Sequence, residues 1–125
     1  MRTSRPILAL TILSLASLAF AADDDNPIKK AMQFAHKAPQ GQKKVSEKII
    51  EGTATDDEVQ KTLALYKAIG DTKPPKGDPA AFKEKVAKVI VAAEDVAAKK
   101  PGAADEFKSA VNCKSCHSDF RADKK

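Results

Sequence analysis

The sequence predicts an all-α fold, an antiparallel four-helix bundle, and three observations carry that expectation. Apolar residues recur at three-and-four spacing in four successive stretches. Most stretches open on a capping residue with acids or a proline and close on glycine or a proline–glycine pair. No stretch alternates apolar and polar residues as a half-buried strand would. Helices this short are marginal alone, so their apolar faces must meet in a common core.

The first helix is expected to start at Pro27, where Asp23, Asp24 and Asp25 supply acids to the positive end of the dipole and Asp25 or Asn26 caps. Ile28, Ala31, Met32 and Ala35 fall on one face, with His36 at its edge, and Val45, Ile49 and Ile50 continue the stripe. Pro39 and Gly41 predict a kink or short break over residues 38–42, before the helix resumes to Glu51 and stops at Gly52. Thr55 and Glu58 read as a capping box for a second helix over residues 56–69, with Val59, Thr62, Leu63, Tyr66 and Ile69 on its buried face. Residues 71–79 carry three prolines and form a stiff connector. Asp78 and Pro79 open a third helix whose face is Phe82, Val86, Val89, Ile90, Ala93 and Ala97. After Pro101 and Gly102, a fourth helix is expected over residues 103–120, with Phe107, Ala110, Val111, Cys113, His117 and Phe120 on one side.

Residues 1–21 read as a secretion signal outside the fold. Arg2 and Arg5 precede an uncharged run from Pro6 to Ala22, whose apolar stretch ILALTILSLASLAF is too short to span a bilayer comfortably, and Ala19 and Ala21 suit a signal peptidase. Cleavage after Ala21 leaves residues 22–125 as one exported domain, expected in the periplasm with no stable membrane anchor. Removing Arg2 and Arg5 lowers the formal net charge from +5 to about +3, with both signs interspersed. That pattern and the scarcity of aromatics argue against nucleic acid. A domain this small has a modest core, and its two cysteines are too close together to close a useful loop, so a bound cofactor is the expected aid to stability.

The chemistry concentrates in the segment CKSCHSDFR, residues 113–121. Cys113, Cys116 and His117 stand at i, i+3 and i+4, so at about 100° per residue they share one arc of a helix. C-x-x-C-H is the attachment signal for c-type haem: two thiols add to the porphyrin vinyl groups and the next imidazole reaches the iron. Three other readings compete. A thioredoxin-type redox pair needs its cysteines at a helix N-terminus after a strand, whereas here they are expected near the end of the last helix. A structural zinc site needs a fourth ligand, for which only His36 and scattered carboxylates remain. The third is an idle pair of thiols. Catalysis by side chains finds no Ser/His/acid set and no phosphate loop, and Asp56, Asp57 and Glu58 are explained by capping, so the chain is not expected to be an enzyme.

The ending NCKSCHSDFR, on the last of four predicted helices behind a signal peptide, resembles the cytochrome c-prime family, including its low-spin methionine-ligated branch. The resemblance is closest over Asn112 to Arg121. It implies one covalent haem c per chain, attached through Cys113 and Cys116, with His117 as the proximal iron ligand and Arg121 beside the proximal face. It also implies a possible homodimer joined by the first two helices; this chain departs from the usual pattern there, with a shorter second-helix region and the Pro39–Gly41 interruption.

The position opposite His117 stays open. The family's architecture puts helix one there, where Met32 offers a thioether and His36 lies one turn further. Met32 as ligand would saturate the iron and suit electron transfer between redox partner proteins. A vacant face lined by Ile28, Met32 and Ala35 would instead leave a five-coordinate iron able to bind NO or CO. A haem serving mainly as a folding cofactor is the third possibility. Lys108, Lys114, Arg121, Lys124 and Lys125 lie near the motif in sequence, as either a solvated face or a docking patch for acidic redox partners.

Overall fold

The structure is a computed structural model that describes residues 26–122 of the chain. The signal segment, the acidic run before Asn26, and Lys124 and Lys125 lie outside the described residues. Every element described is an α-helix: α1 Pro27–Ala35, α2 Val45–Glu51, α3 Asp56–Gly70, α4 Pro79–Ala97, α5 Ala103–Ala110 and α6 Cys113–Phe120. The all-α expectation therefore holds for the described residues. None of these helices is long and apolar enough to cross a membrane.

Local chemistry sets the starts. Asn26 caps α1, its Oδ1 accepting from the Ile28 N–H at 2.9 Å with Pro27 behind it. Thr55 and Glu58 close the expected box at α3: Thr55 Oγ1 accepts from Glu58 N, and Glu58 accepts from Thr55 N. Asp78 accepts from Ala81 N to start α4. Gly52 stops α2 in the left-handed conformation, with φ of 75°.

Two expectations about continuity need correction. The break in the first helix is longer than residues 38–42, because α1 ends at Ala35 and α2 starts only at Val45. Proline at 39 and glycine at 41 are joined by a second helix start, where Lys44 and Glu47 pair across the N-terminal turn. The last helix is not continuous over residues 103–120. It stops at Ala110 and restarts at Cys113, because Asn112 turns its side chain onto the Ser115 N–H at 3.0 Å and caps a new helix instead of continuing the old one.

The core is one cluster. α3 packs on α1 and α4, α4 packs on α5, and α2 touches α3 and α5. Phe107 and Thr62 are fully buried, and Thr62 Oγ1 donates to the Glu58 carbonyl at 2.8 Å. Around them lie Ala31, Ala35, Ile49, Leu63, Tyr66, Ile69, Phe82, Val86 and Ala93. Ion pairs tie the flanks: Lys99 to Asp56 at 3.5 Å, Lys67 to Glu94 at 3.0 Å and Lys48 to Glu58 at 2.8 Å.

Candidate functional site

Helix α6 carries the cysteine–histidine segment and is held by a few specific contacts. Phe120 is buried and meets Phe82 of α4 edge-to-face, with ring centroids 5.2 Å apart. Lys85 of α4 reaches across: its Nζ donates to Ser115 Oγ at 2.7 Å, to the Ser115 carbonyl at 3.3 Å and to Asp119 Oδ2 at 2.9 Å. That contact is the main cause holding the Asp119 carboxyl below its usual range. The connector before α4 comes just as close. At Gly77, with φ of +85°, a Cβ would sit 2.6 Å from the Asp119 carbonyl and 2.9 Å from Phe120 Cδ1.

By helical projection Phe120 shares the arc of Cys113, Cys116 and His117. Burial along this face is uneven: Phe120 anchors its C-terminal end, Cys116 is half-buried, and Cys113 and His117 are exposed. Both cysteines are free thiols. Burial, the largest influence on it, pushes the Cys116 thiol above its ordinary range. Cys113 stands in the first position of α6, its Sγ 3.6 Å from the Val111 carbonyl. One premise used against the thioredoxin-type pair is therefore corrected: the motif does open a helix. What precedes it is helix α5, not the strand that chemistry needs.

Near this face lies a second polar group. His36, the residue that ends α1, places Nε2 2.8 Å from Tyr66 Oη. The rings stack at 6.0 Å, and Tyr66 in turn stacks on Phe107 at 6.3 Å, a ladder running from a half-buried histidine into the core. Burial, then the charge of His117, then that of Lys44 hold His36 below the ordinary histidine range. Burial and then Cys113 push the Tyr66 hydroxyl well above its usual range. His36 and Tyr66 are thus within electrostatic reach of the motif.

The other expected residues fall as follows. Met32 and Ile28 are half-buried and pack on the core, while Ala35 is fully buried. Arg121 is exposed at the end of α6, its N–H bonded to the His117 carbonyl at 3.3 Å. Lys108 and Lys114 are exposed. Lys85, Asn112, Gly77 and the Tyr66–His36 bond escaped the sequence reading. Two of them carried a signal: Asn112 is a capping residue type directly before the motif, and Tyr66 is the one tyrosine of the chain, on an apolar helix face.

Among the described residues no group of three or more His, Cys, Asp or Glu is placed to hold a metal ion, so Cys113, Cys116 and His117 do not converge as ligands of a bare ion would. An open hollow of about 750 Å³ lies between α4 and α5, floored by Ala87, Val91, Ala92 and Ala110, and contains no residue of the motif. Two free thiols and an imidazole on one helix face have the residue types and C-x-x-C-H spacing that c-type haem attachment uses. No protein-family model, no curated protein and no solved structure matches the chain.

Proposed function

We propose that this chain is an exported monohaem c-type cytochrome that passes electrons between redox partner proteins. The six helices of the described residues would group as an antiparallel four-helix bundle of the cytochrome c-prime kind, α1 with α2 and α5 with α6 each standing for one interrupted arm. The grouping is supported by the pairing of α3 with α4, whose contacts run from Asp56–Lys99 through Lys67–Glu94 to Gly70 beside Ile90 and Val86.

The observation that carries the function is the α6 face, with two free thiols and an imidazole directly after the second. Cys113 and Cys116 would each form one thioether, and His117 would present a nitrogen to the iron. Bound haem supplies a one-electron ferric–ferrous couple there. The chain's part is to orient and shield. Lys85 fixes α6 against α4, Phe120 seals one end of the attachment face, and the apolar sides of α1 and α3 exclude water. Lys108, Lys114 and Arg121 give the motif's surroundings a positive character suited to acidic partners.

The test is export in a bacterium that matures c-type cytochromes. A haem stain that survives denaturing electrophoresis, and is lost when Cys113 and Cys116 are both changed to Ser, supports attachment. Rapid reduction and reoxidation by small redox proteins, slowing as salt rises, supports electron transfer with docked partners. A stained protein that exchanges electrons sluggishly and binds CO readily at neutral pH would replace the carrier with a gas binder.

A further inference from the structure

We propose that His36, positioned by Tyr66, supplies the second axial ligand opposite His117, in place of Met32. The inference rests on the haem-attachment reading and goes beyond it by naming the group that sets spin state and potential.

The chain has two histidines, far apart in sequence, and the charge of one reaches the other in the fold. One follows the cysteine pair directly. The other is half-buried and fixed by a bond to a tyrosine that is 2% exposed. A buried hydroxyl requires a partner, and among side chains Tyr66 finds it in His36. In the tautomer that donates Nε2–H to Tyr66 Oη, the Nδ1 lone pair stays available. Metal-ligating histidines are ordinarily held in this way, by an oxygen on the nitrogen that does not bind the metal. Ring stacking with Tyr66, itself stacked on Phe107, ties that orientation to the core.

The surroundings agree. His117 is close enough for its charge to oppose a second charge on His36, and Cys113 close enough to act on Tyr66. His36 and Tyr66 thus both lie within electrostatic range of the motif. Met32 has no comparable tie. It is half-buried against the apolar cluster, the ordinary place of a core methionine, and only its backbone carbonyl takes part in holding His36, accepting the His36 N–H at 3.1 Å. The α1 helix ends at Ala35, so His36 is free of the helical register that confines Met32.

The test uses the haem-loaded protein, its attachment established first by intact mass. Ferric and ferrous absorption and electron paramagnetic resonance are recorded for wild type, Met32→Leu, His36→Ala, His36→Gln and Tyr66→Phe. The expected wild type is low-spin with two nitrogen ligands and no thioether-to-iron band. Met32→Leu should leave that spectrum unchanged. His36→Ala and His36→Gln should give high-spin iron, and added imidazole should restore the low-spin form of His36→Ala, which a merely structural role would not permit. Tyr66→Phe should raise the high-spin fraction. A thioether band that Met32→Leu abolishes, or a high-spin wild type indifferent to His36→Ala, would overturn the proposal while leaving haem attachment standing. The wild-type spectrum decides even if a variant fails to accumulate. A wild type without covalent haem would remove both readings.

Discussion

The two cysteines differ although the motif treats them as a pair. Cys113 is exposed in the first turn of α6, whereas Cys116 is half-buried and burial raises its thiol. The thiolate is the nucleophile, so in haem-free protein Cys113 should alkylate several-fold faster than Cys116. Peptide mapping after brief iodoacetamide treatment measures this, and equal rates would mean that α6 is not docked as described. The sequence displayed the spacing of these residues plainly, because i, i+3 and i+4 follow from helix geometry alone. It did not display the gradient between them, which depends on Phe120 anchoring one end of the face against Phe82.

Elements were legible where a local bond defines them. Asn26, Thr55 and Asp78 each cap a helix through side chain and neighbouring backbone, so composition sufficed to place the starts. The restart at Cys113 was hidden because apolar periodicity runs through residues 107–120 without interruption, while one asparagine bond redirects the backbone. Asn112→Ala should cost about 1 kcal/mol, the usual worth of an N-terminal cap, and denaturant unfolding would measure it. Gly77→Ala should cost more, about 1–3 kcal/mol. It combines a positive φ with a backbone carbonyl in the way, and a melting temperature equal to wild type would contradict that contact.

The same scale governs acid sensitivity. Glu58 is held below the ordinary carboxylate range, first by the Lys48 ammonium and then by the Thr55 N–H. Glu47 is lowered chiefly by the Lys44 N–H, and Asp119 chiefly by Lys85. Each group has a lower pKa folded than unfolded, so the unfolded chain takes up protons first as pH falls. Their stabilisation is complete above the ordinary carboxylate range and is lost on descending through the lowered values. Melting temperature should therefore decline in acid, starting in the ordinary histidine range because His36 is also held low in the fold, and falling further through the carboxylates. Glu58→Gln should flatten that decline, and a variant with the wild-type acid limb would count against the Lys48–Glu58 tie between α2 and α3.

Across the whole molecule, packing converges on Phe107, fully buried beneath Tyr66. Phe107→Ala should cost about 3–5 kcal/mol against a total of about 5–15 for a domain of this kind, enough to leave haem-free protein partly unfolded. Circular dichroism would follow the loss, and haem should restore part of it if a folded-state ligand stabilises the domain. The all-α class was readable from four apolar faces, since a helix records its burial every three or four residues. The meeting of α1 with α3 at His36 and Tyr66 was not, because a contact between residues so distant in sequence leaves no mark on either segment.

The central claim is that α6 exists to carry a covalently attached porphyrin, and intact mass spectrometry of the exported protein tests it most directly. The account predicts a mature chain starting near Ala22, heavier by one haem, with neither cysteine open to alkylation. A mass equal to the bare polypeptide, with both Cys113 and Cys116 taking up iodoacetamide, would contradict it.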